Sequence, residues 1–454
     1  MLNRAREAIG PAYLFACLIL GGSAQGIWQN MILQLAGVAI IAWAAAAPAD
    51  EPLLPPAKQL LLLAIVGILV IALQLVPLPP AVWSSLGPRH EFVEGYRALR
   101  LGVPALPLSM TPAETLDSLL AVIPPLAIFC AVVRLRAFRP GWLAIALLAG
   151  TVAGILIGAL QVASSSSGQS PWYLYEDTNV GAGVGFFANA NHMAILLVVS
   201  LPFLAAIAAT ARRSNVQRYS AVLALTIGIA LVVMVGLALN RSLAGYGLAL
   251  PVLAASALIV LPSSSPLRIW AVVLASLLVI AAIFGLEVTS IGSAKFGQEA
   301  STSVQSRADI LATTTTAMKD FLPFGSGLGS FRRVYHLYER PEQVTNIYVI
   351  HAHNDYVELA LELGVAGMIL MALFLAWWAV AVWRVWRTAE AGPFARAASI
   401  ASAAILVHSV VDFPLRTAAI SACFAMCIAL LADRRAPRAK EPSDLRPARH
   451  TVIR

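Results

Sequence analysis

Charge is what this sequence has least of. Lys, Arg, Asp and Glu together make 12% of its 454 residues, against 59% apolar residues. Soluble domains carry roughly twice that share of charge, about 25%, so a water-soluble globular fold is excluded and a polytopic membrane protein is expected. Cysteine is also scarce. Cys17, Cys130, Cys423 and Cys427 all fall inside apolar runs, which speaks against a disulfide framework or a thiolate metal site and for small core- or lipid-facing side chains. No Asp-x-Asp pair and no Ser or Cys nucleophile constellation stands out. The GSGLGS segment at 325–330 lacks both the Lys-Ser/Thr of a Walker loop and G-x-G-x-x-G spacing, so it reads as a tight backbone turn. No internal repeat is visible, which argues against a transporter built from inverted repeats. The first apolar run has no small-residue cleavage site after it and more spans follow, so no cleavable signal peptide is expected.

What is present is a succession of apolar runs long enough to span a bilayer, about 20 residues each. Twelve are expected, near 9–23, 31–48, 59–77, 115–133, 141–161, 190–210, 219–238, 243–261, 267–286, 357–383, 397–413 and 417–433. The net charge of +8 suggests nucleic acid only until the basic residues are located. With the N-terminus in the cytoplasm, 20 of the 31 Lys and Arg residues fall on the cytoplasmic side, including the short loops RLRAFR (134–139) and ARRSNVQR (211–218), as the positive-inside rule requires. Both termini are then cytoplasmic, no nucleic-acid partner is expected, and membrane lipids are. Residues 1–433 form a single transmembrane domain in this reading, and 434–454 a basic, Pro-rich cytoplasmic tail expected to be disordered on the anionic leaflet. Three longer segments lie on the other side: about 76–112, 161–190 and 287–355. The last is too polar to span and long enough to form an ordered, partly helical cap.

Polar side chains concentrate where these external segments meet the spans, the default place to look for function in a membrane protein. In HAHNDYVELALELGVAG (351–367), Asp355 and Glu358 read as a D-x-x-E capping box, which puts His353 just before a helix N-terminus. The positive end of the helix dipole disfavours imidazolium, leaving a neutral base able to take a proton near pH 7; a boundary His that merely caps or snorkels is the alternative. His351 and His353 alternate in an extended stretch and are expected to face the same way, but no third ligand for a zinc site is evident. Arg241, in ALNRSLAGYG, lies at the membrane edge with no acidic neighbour in sequence, so it either snorkels or meets an anion. Arg307, in VQSRADI, either joins it or faces solvent with Asp309. A guanidinium fork suits phosphate. In ILVHSVVDFPLRTA, His408, Asp412 and Arg416 recur every fourth residue, so His408 and Asp412 share a helical face before Pro414; they serve either substrate contact or helix pinning. FANANHMA offers Asn189, Asn191 and His192 for sugar hydroxyls or for a helix start. Trp172, Tyr173 and Tyr175 beside Glu176 and Asp177 read as a carbohydrate platform or an ordinary interface belt.

With these residues in place, HNDYVELALELGVAG resembles the signature of the bacterial O-antigen ligase and polysaccharide polymerase superfamily, through His353, Asn354, Gly364 and Gly367. FANANHMA, NRSLAG, SRADILATTTTAMKDFLPFGSGLGSF and HSVVDFPLR resemble further blocks of the family in the same order, over roughly 180–430; Asn240 departs from the Ser that many members have before the Arg. The resemblance implies an all-α, GT-C-like architecture and a metal-independent, inverting glycosyltransferase with no cofactor. It implies an undecaprenyl-pyrophosphate-linked glycan as donor and a lipid-linked or lipid A core glycan as acceptor, at the periplasmic face of the inner membrane. Arg241 and Arg307 would bind pyrophosphate and His353 would activate the acceptor hydroxyl; Arg416, His408, Asp412, Asn189, Asn191, His192 and Asn354 are the expected substrate contacts. HSVVDFPLR and FANANHMA look more like the polymerase branch than the ligase branch. An exporter of lipid-linked sugars is the non-enzyme alternative; it predicts polar residues running through the spans rather than crowding at one face.

Overall fold

A computed structural model describes residues 2–24, 27–48, 52–135, 139–164, 170–214, 216–261, 265, 267, 269–275, 277–278, 296–344, 348–388 and 391–433. The expected ninth span at 267–286, the first part of the large cap segment and the basic tail therefore lie largely or wholly outside the described residues.

The protein is an all-α polytopic membrane protein. In chain order the helices are α1 (Leu2–Leu20), α2 (Ile27–Ala46), α3 (Pro55–Leu73), α4 (Pro80–Trp83), α5 (His90–Ala98), α6 (Pro112–Leu120), α7 (Ile123–Leu135), α8 (Pro140–Ser164), α9 (Ala190–Ser214), α10 (Val216–Asn240), α11 (Leu243–Val260), α12 (Phe296–Phe321), α13 (Phe331–Tyr338), α14 (Asp355–Arg387), α15 (Pro393–His408) and α16 (Ala418–Ala432). Among the described residues eight stretches are long and apolar enough to cross a bilayer; α6 and α7 count as one, while α15 and α16 are apolar but shorter. Two residues, Ala121 and Val122, break the expected fourth span into α6 and α7 just before Pro124 and Pro125, because proline cannot accept the preceding helical turn. The eleventh span stops at His408 rather than 413. Its last residues form a turn that leads into a short 3-10 helix, Pro414–Arg416.

The core is organised around α9, which is apolar all round and buried from Met193 to Val199, as a helix surrounded by others must be. It packs against α8, α10, α11 and α15. Lipid tails are as apolar as Leu, so close packing rather than water exclusion holds such helices together. The seam between α15 and α16 shows this. Ala397, Ala398, Ala401 and Ala404 meet Ala419, Ala422 and Ala429 in one core that also takes in Cys17, Cys423 and Cys427. The four cysteines are free, in keeping with small packing residues.

Contacts show which helix ends share a side. At one end, Arg134 donates to Ala47 O (3.4 Å), Arg212 to Val260 O (3.4 Å) and Trp386 to Ser399 Oγ (2.9 Å). At the other, Ala419 N donates to Gly21 O (3.0 Å), Asn240 Nδ2 to Ala190 O (2.9 Å) and Asp355 N to Ser409 O (2.9 Å). Two external segments settle at this second end. Residues 170–189 run back along α8, where a Cβ on Gly185 (φ +59°) would lie 2.7 Å from Gly154 O, so only glycine allows that approach. The buried Gln161 side chain accepts from Val184 N and Gly185 N (2.9 Å each) and donates to Trp172 O (3.0 Å) and Gly185 O (2.9 Å), supplying the partners that irregular backbone needs at membrane depth. Residues 76–112 form the second segment, with a two-residue ladder, Pro77–Leu78 against Leu106–Pro107. Arg89 ties it to the cap: it donates to Leu86 O and Leu108 O and covers the Phe321 ring at 5.7 Å.

Candidate functional site

The first helical turn of α14 begins one residue earlier than a D-x-x-E box requires. Asn354 is the cap: its Oδ1 accepts from Tyr356 N and Val357 N (3.1 Å each), and its Nδ2 donates to Val410 O (2.9 Å). Glu358 makes no capping box with Asp355. Its carboxylate turns back on the preceding segment, accepting from His351 Nδ1 and Ala352 N (2.8 Å each). His353 lies between these two grips with φ +51°, so the extended alternation expected of His351 and His353 fails there. Among the described residues only three non-glycine positions have positive φ: Arg100, Arg241 and His353. Such backbone costs about 1–3 kcal/mol and persists where surroundings over-determine it, often at functional sites.

His353 Nδ1 lies 3.4 Å from Asp412 Oδ1, and His408 Nε2 lies 3.6 Å from Asp412 Oδ2. Asp412 is past the end of α15, so the expected helical face is replaced by a turn that brings the pair together all the same. Burial acts to raise the Asp412 pKa, but the surrounding imidazoles of His353, His408 and His192 outweigh it, holding the carboxyl well below the usual range. Phe413 is a hub that no motif marked. Its ring stands edge-on to His192 (5.1 Å, 88°), at 62° to His353 (5.1 Å) and tilted onto His351 (4.2 Å). His192, His408 and Asp412 are buried. Among the described residues His192 Nε2, His353 Nδ1, both His408 ring nitrogens and Asp412 Oδ2 have no hydrogen-bond partner, so the cluster has unused hydrogen-bonding capacity.

Arg416 does not stay with His408 and Asp412. On the 3-10 turn it faces α14, with Nη2 3.0 Å from Glu362 and 3.3 Å from Glu358, and Nε 3.6 Å from Asp355. These three carboxylates hold the guanidinium charged and raise its pKa against the opposing effect of burial. Glu362 is the residue that sequence reasoning missed. Its other oxygen accepts from Gly329 N (2.9 Å) and Phe331 N (3.2 Å), joining the GSGLGS turn to the helix. Asp355, Glu358 and Glu362 in an otherwise apolar helix were the available signal. α14 then breaks at Gly364 (φ +61°, ψ −148°). Leu361 O and Glu362 O, freed by the break, accept from Ser326 N (3.0 Å) and Gly327 N (2.9 Å). The tight turn expected at 325–330 is thus the cap of a broken helix.

Arg241 is exposed between α10 and α11, with φ +60°. Its neighbours lead to the histidine cluster: Ser242 Oγ donates to Asn191 Oδ1 (2.7 Å), and His192 follows Asn191. Asn189 Oδ1 accepts from Asn191 N (2.8 Å), so the side-chain oxygens of Asn189 and Asn191 serve helix starts. Asn240 is fully buried and donates to Gly183 O (3.0 Å) and Ala190 O (2.9 Å). Arg307 is half-buried on α12, one turn before Ile310, which packs with Ala352, Leu361 and Phe331. The three aromatics that read as a platform or an interface belt differ in burial. Tyr173 Oη donates to Ala182 O (3.1 Å) and accepts from Gly181 N (2.8 Å), Tyr175 is buried, and Trp172 is exposed. Among the described residues no three His, Cys, Asp or Glu side chains group as a metal site.

Fold and site together define a polytopic membrane protein with a polar, histidine-rich cluster at one end of its helical bundle. Residues 228–372 match the family model described as O-antigen ligase. Through that segment the chain is similar to the family, in line with the resemblance carried by the sequence motifs. The matched segment contains Arg241, Arg307 and His353, while His192, His408, Asp412 and Arg416 lie outside it. No curated protein matches the chain.

Proposed function

We propose that this protein is a metal-independent, inverting glycosyltransferase. It moves a glycan from undecaprenyl pyrophosphate to an acceptor sugar hydroxyl at the periplasmic face of the inner membrane. The observation that carries this reading is that His353 and Arg241, the base and one anion-binding arginine expected from the sequence, both hold left-handed backbone, with a buried carboxylate beside the imidazole. The clustering of Arg134, Arg212, Arg384, Arg387 and Arg396 around the opposite end of the bundle supports a periplasmic site.

In this mechanism Asp412, ionised 3.4 Å from His353 Nδ1, favours the proton on that nitrogen and leaves Nε2 free. Nε2 takes the acceptor hydroxyl proton as the oxygen bonds to the anomeric carbon from the face opposite the pyrophosphate. The bond from that carbon to the pyrophosphate oxygen breaks and its electron pair leaves with the pyrophosphate, where Arg241 and Arg307 stabilise the charge, so no acid is needed. Asp412 balances the imidazolium until its proton is lost to water. His192 and His408 lie beside the same carboxylate. We assign Asn189, Asn191 and Asn354 to shaping the site's edge through the caps they form, and Arg416 to its support.

The reaction we favour is chain growth onto another lipid-linked repeat unit, from the likeness of HSVVDFPLR and FANANHMA to the polymerase branch. Reconstitution with lipid-linked repeat unit, with and without lipid A core, tests it. Polymer is expected without the core, and product only with the core would make the enzyme a ligase. Full activity in His353→Ala would remove the base assignment. Arg241→Lys, which keeps the charge but loses the planar fork, is expected to cut kcat/KM by about 10²-fold or more. Activity is expected to persist in EDTA; loss restored by one divalent ion would overturn the metal-free reading.

A further inference from the structure

The left-handed backbone at His353 has to be held by something, and the residues that hold it are not the ones that would touch substrate. On the N-terminal side one buried carboxylate, Glu358, accepts from both His351 Nδ1 and Ala352 N at 2.8 Å. On the C-terminal side Asn354 Nδ2 donates to Val410 O and Asp355 N to Ser409 O, each at 2.9 Å. Val410 and Ser409 belong to the same turn as Asp412, so the backbone of His353 and its carboxylate partner are fixed to one frame. Glu358 is fully buried and is itself held by Arg416 at 3.3 Å, which also binds Glu362 at 3.0 Å. Through Glu362 that frame reaches Gly329 and Phe331.

We propose that Glu358 is a positioning residue for His353: with Arg416 behind it, its carboxylate locks residues 351 and 352 so that the strained turn delivers the imidazole to Asp412 and to the acceptor. The proposal rests on the reading of His353 as the base. It gives the three carboxylates around Arg416 a purpose beyond packing, because a displacement of about 1 Å in a catalytic group costs on the order of 10²-fold in rate.

The test uses the full chain reconstituted with undecaprenyl-pyrophosphate-linked glycan. Glu358→Gln keeps the volume and leaves Arg416 two carboxylates, so the fold is expected to survive. It removes one of the two carboxylate acceptors that grip 351 and 352. Its kcat is expected to fall by about 10-fold or more, with KM within about twofold. The discriminating measurement is a double-mutant cycle on residual rates. Glu358→Gln is expected to add no further loss in His353→Ala, since nothing remains to be positioned. Unchanged kcat in Glu358→Gln, or losses that multiply in the double mutant, would overturn the proposal. Should Glu358→Gln fail to fold, Asn354→Ser keeps the cap oxygen but loses the donor to Val410 O, and the same pattern is expected of it. If His353→Ala alone retains activity, the base reading falls first, and the cycle identifies that case.

Discussion

Gly364→Ala is the substitution for which the structure yields the clearest magnitude. Gly364 has φ +61° and ψ −148°, a region that is essentially glycine-only and costs other residues about 1–3 kcal/mol. The added methyl would lie 2.2 Å from Pro323 O and 2.7 Å from Gly325 N and Phe324 C, all backbone atoms. The 323–325 segment must therefore retreat by about 1 Å to reach even a tight contact. That segment carries Val365 N–Pro323 O and Gly325 N–Phe321 O (2.9 Å each) and leads into Ser326 N–Leu361 O (3.0 Å). Overpacking of this kind adds about 1–3 kcal/mol, for a total of about 2–6 kcal/mol. Unfolding entropy scaled to this chain length converts that to a fall of about 2–6 °C in apparent Tm. The assay is the intrinsic fluorescence of the ten tryptophans during heating of purified protein in nanodiscs, at one fixed scan rate because membrane proteins unfold irreversibly. Gly67→Ala and Gly228→Ala are the controls. Both residues are helical with no atom within 4 Å of the added methyl, so the same chemical change is expected to be neutral or to stabilise by about 0.5–1 kcal/mol. A Gly364→Ala protein with unchanged Tm, or controls that fall as far, would refute the reasoning.

Gln161→Leu removes four hydrogen bonds to the backbone of Trp172, Val184 and Gly185; a loss of about 2–3 kcal/mol is expected, with protease cleavage within 170–189 appearing at lower temperature than in the wild type. Asp412 gives a pH prediction. Its folded pKa is depressed, so the stabilisation it contributes is present above the ordinary carboxylate value, about pH 4, and is lost as pH falls through the lower folded value. Asp412→Asn is expected to flatten the Tm profile below about pH 4 while lowering Tm at neutral pH; an acid limb unchanged in the variant would show that other carboxylates carry it.

How legible was this protein before folding? The polytopic all-α class follows from apolar run lengths, because lipid leaves the backbone no choice but helix. The helical part expected of the cap segment is α12. His353, Arg241 and Arg307 were marked by their place at polar junctions and by resemblance, and the family match covers all three. Less legible was anything that depends on a turn. The D-x-x-E pair pointed to a capping box, but Asn354 caps α14 because only it reaches both the helix N–H groups and Val410 O. The four-residue spacing of His408, Asp412 and Arg416 promised one helical face. The helix ends at His408, so Asp412 turns to His353 and Arg416 to three carboxylates on another helix.

What the sequence alone determined, then, is everything that local chain physics controls: how many apolar runs can span, where they meet polar segments, and which residue types collect there. Tertiary structure decided partnership. Glu358 could become a clamp backed by Arg416, Glu362 the anchor of a glycine turn and Phe413 the hub of three imidazoles only after the fold had brought Arg416, Gly329 and His192 to them from other parts of the chain. Buried polar groups must find partners wherever the fold places them, and a one-dimensional pattern does not encode where that is.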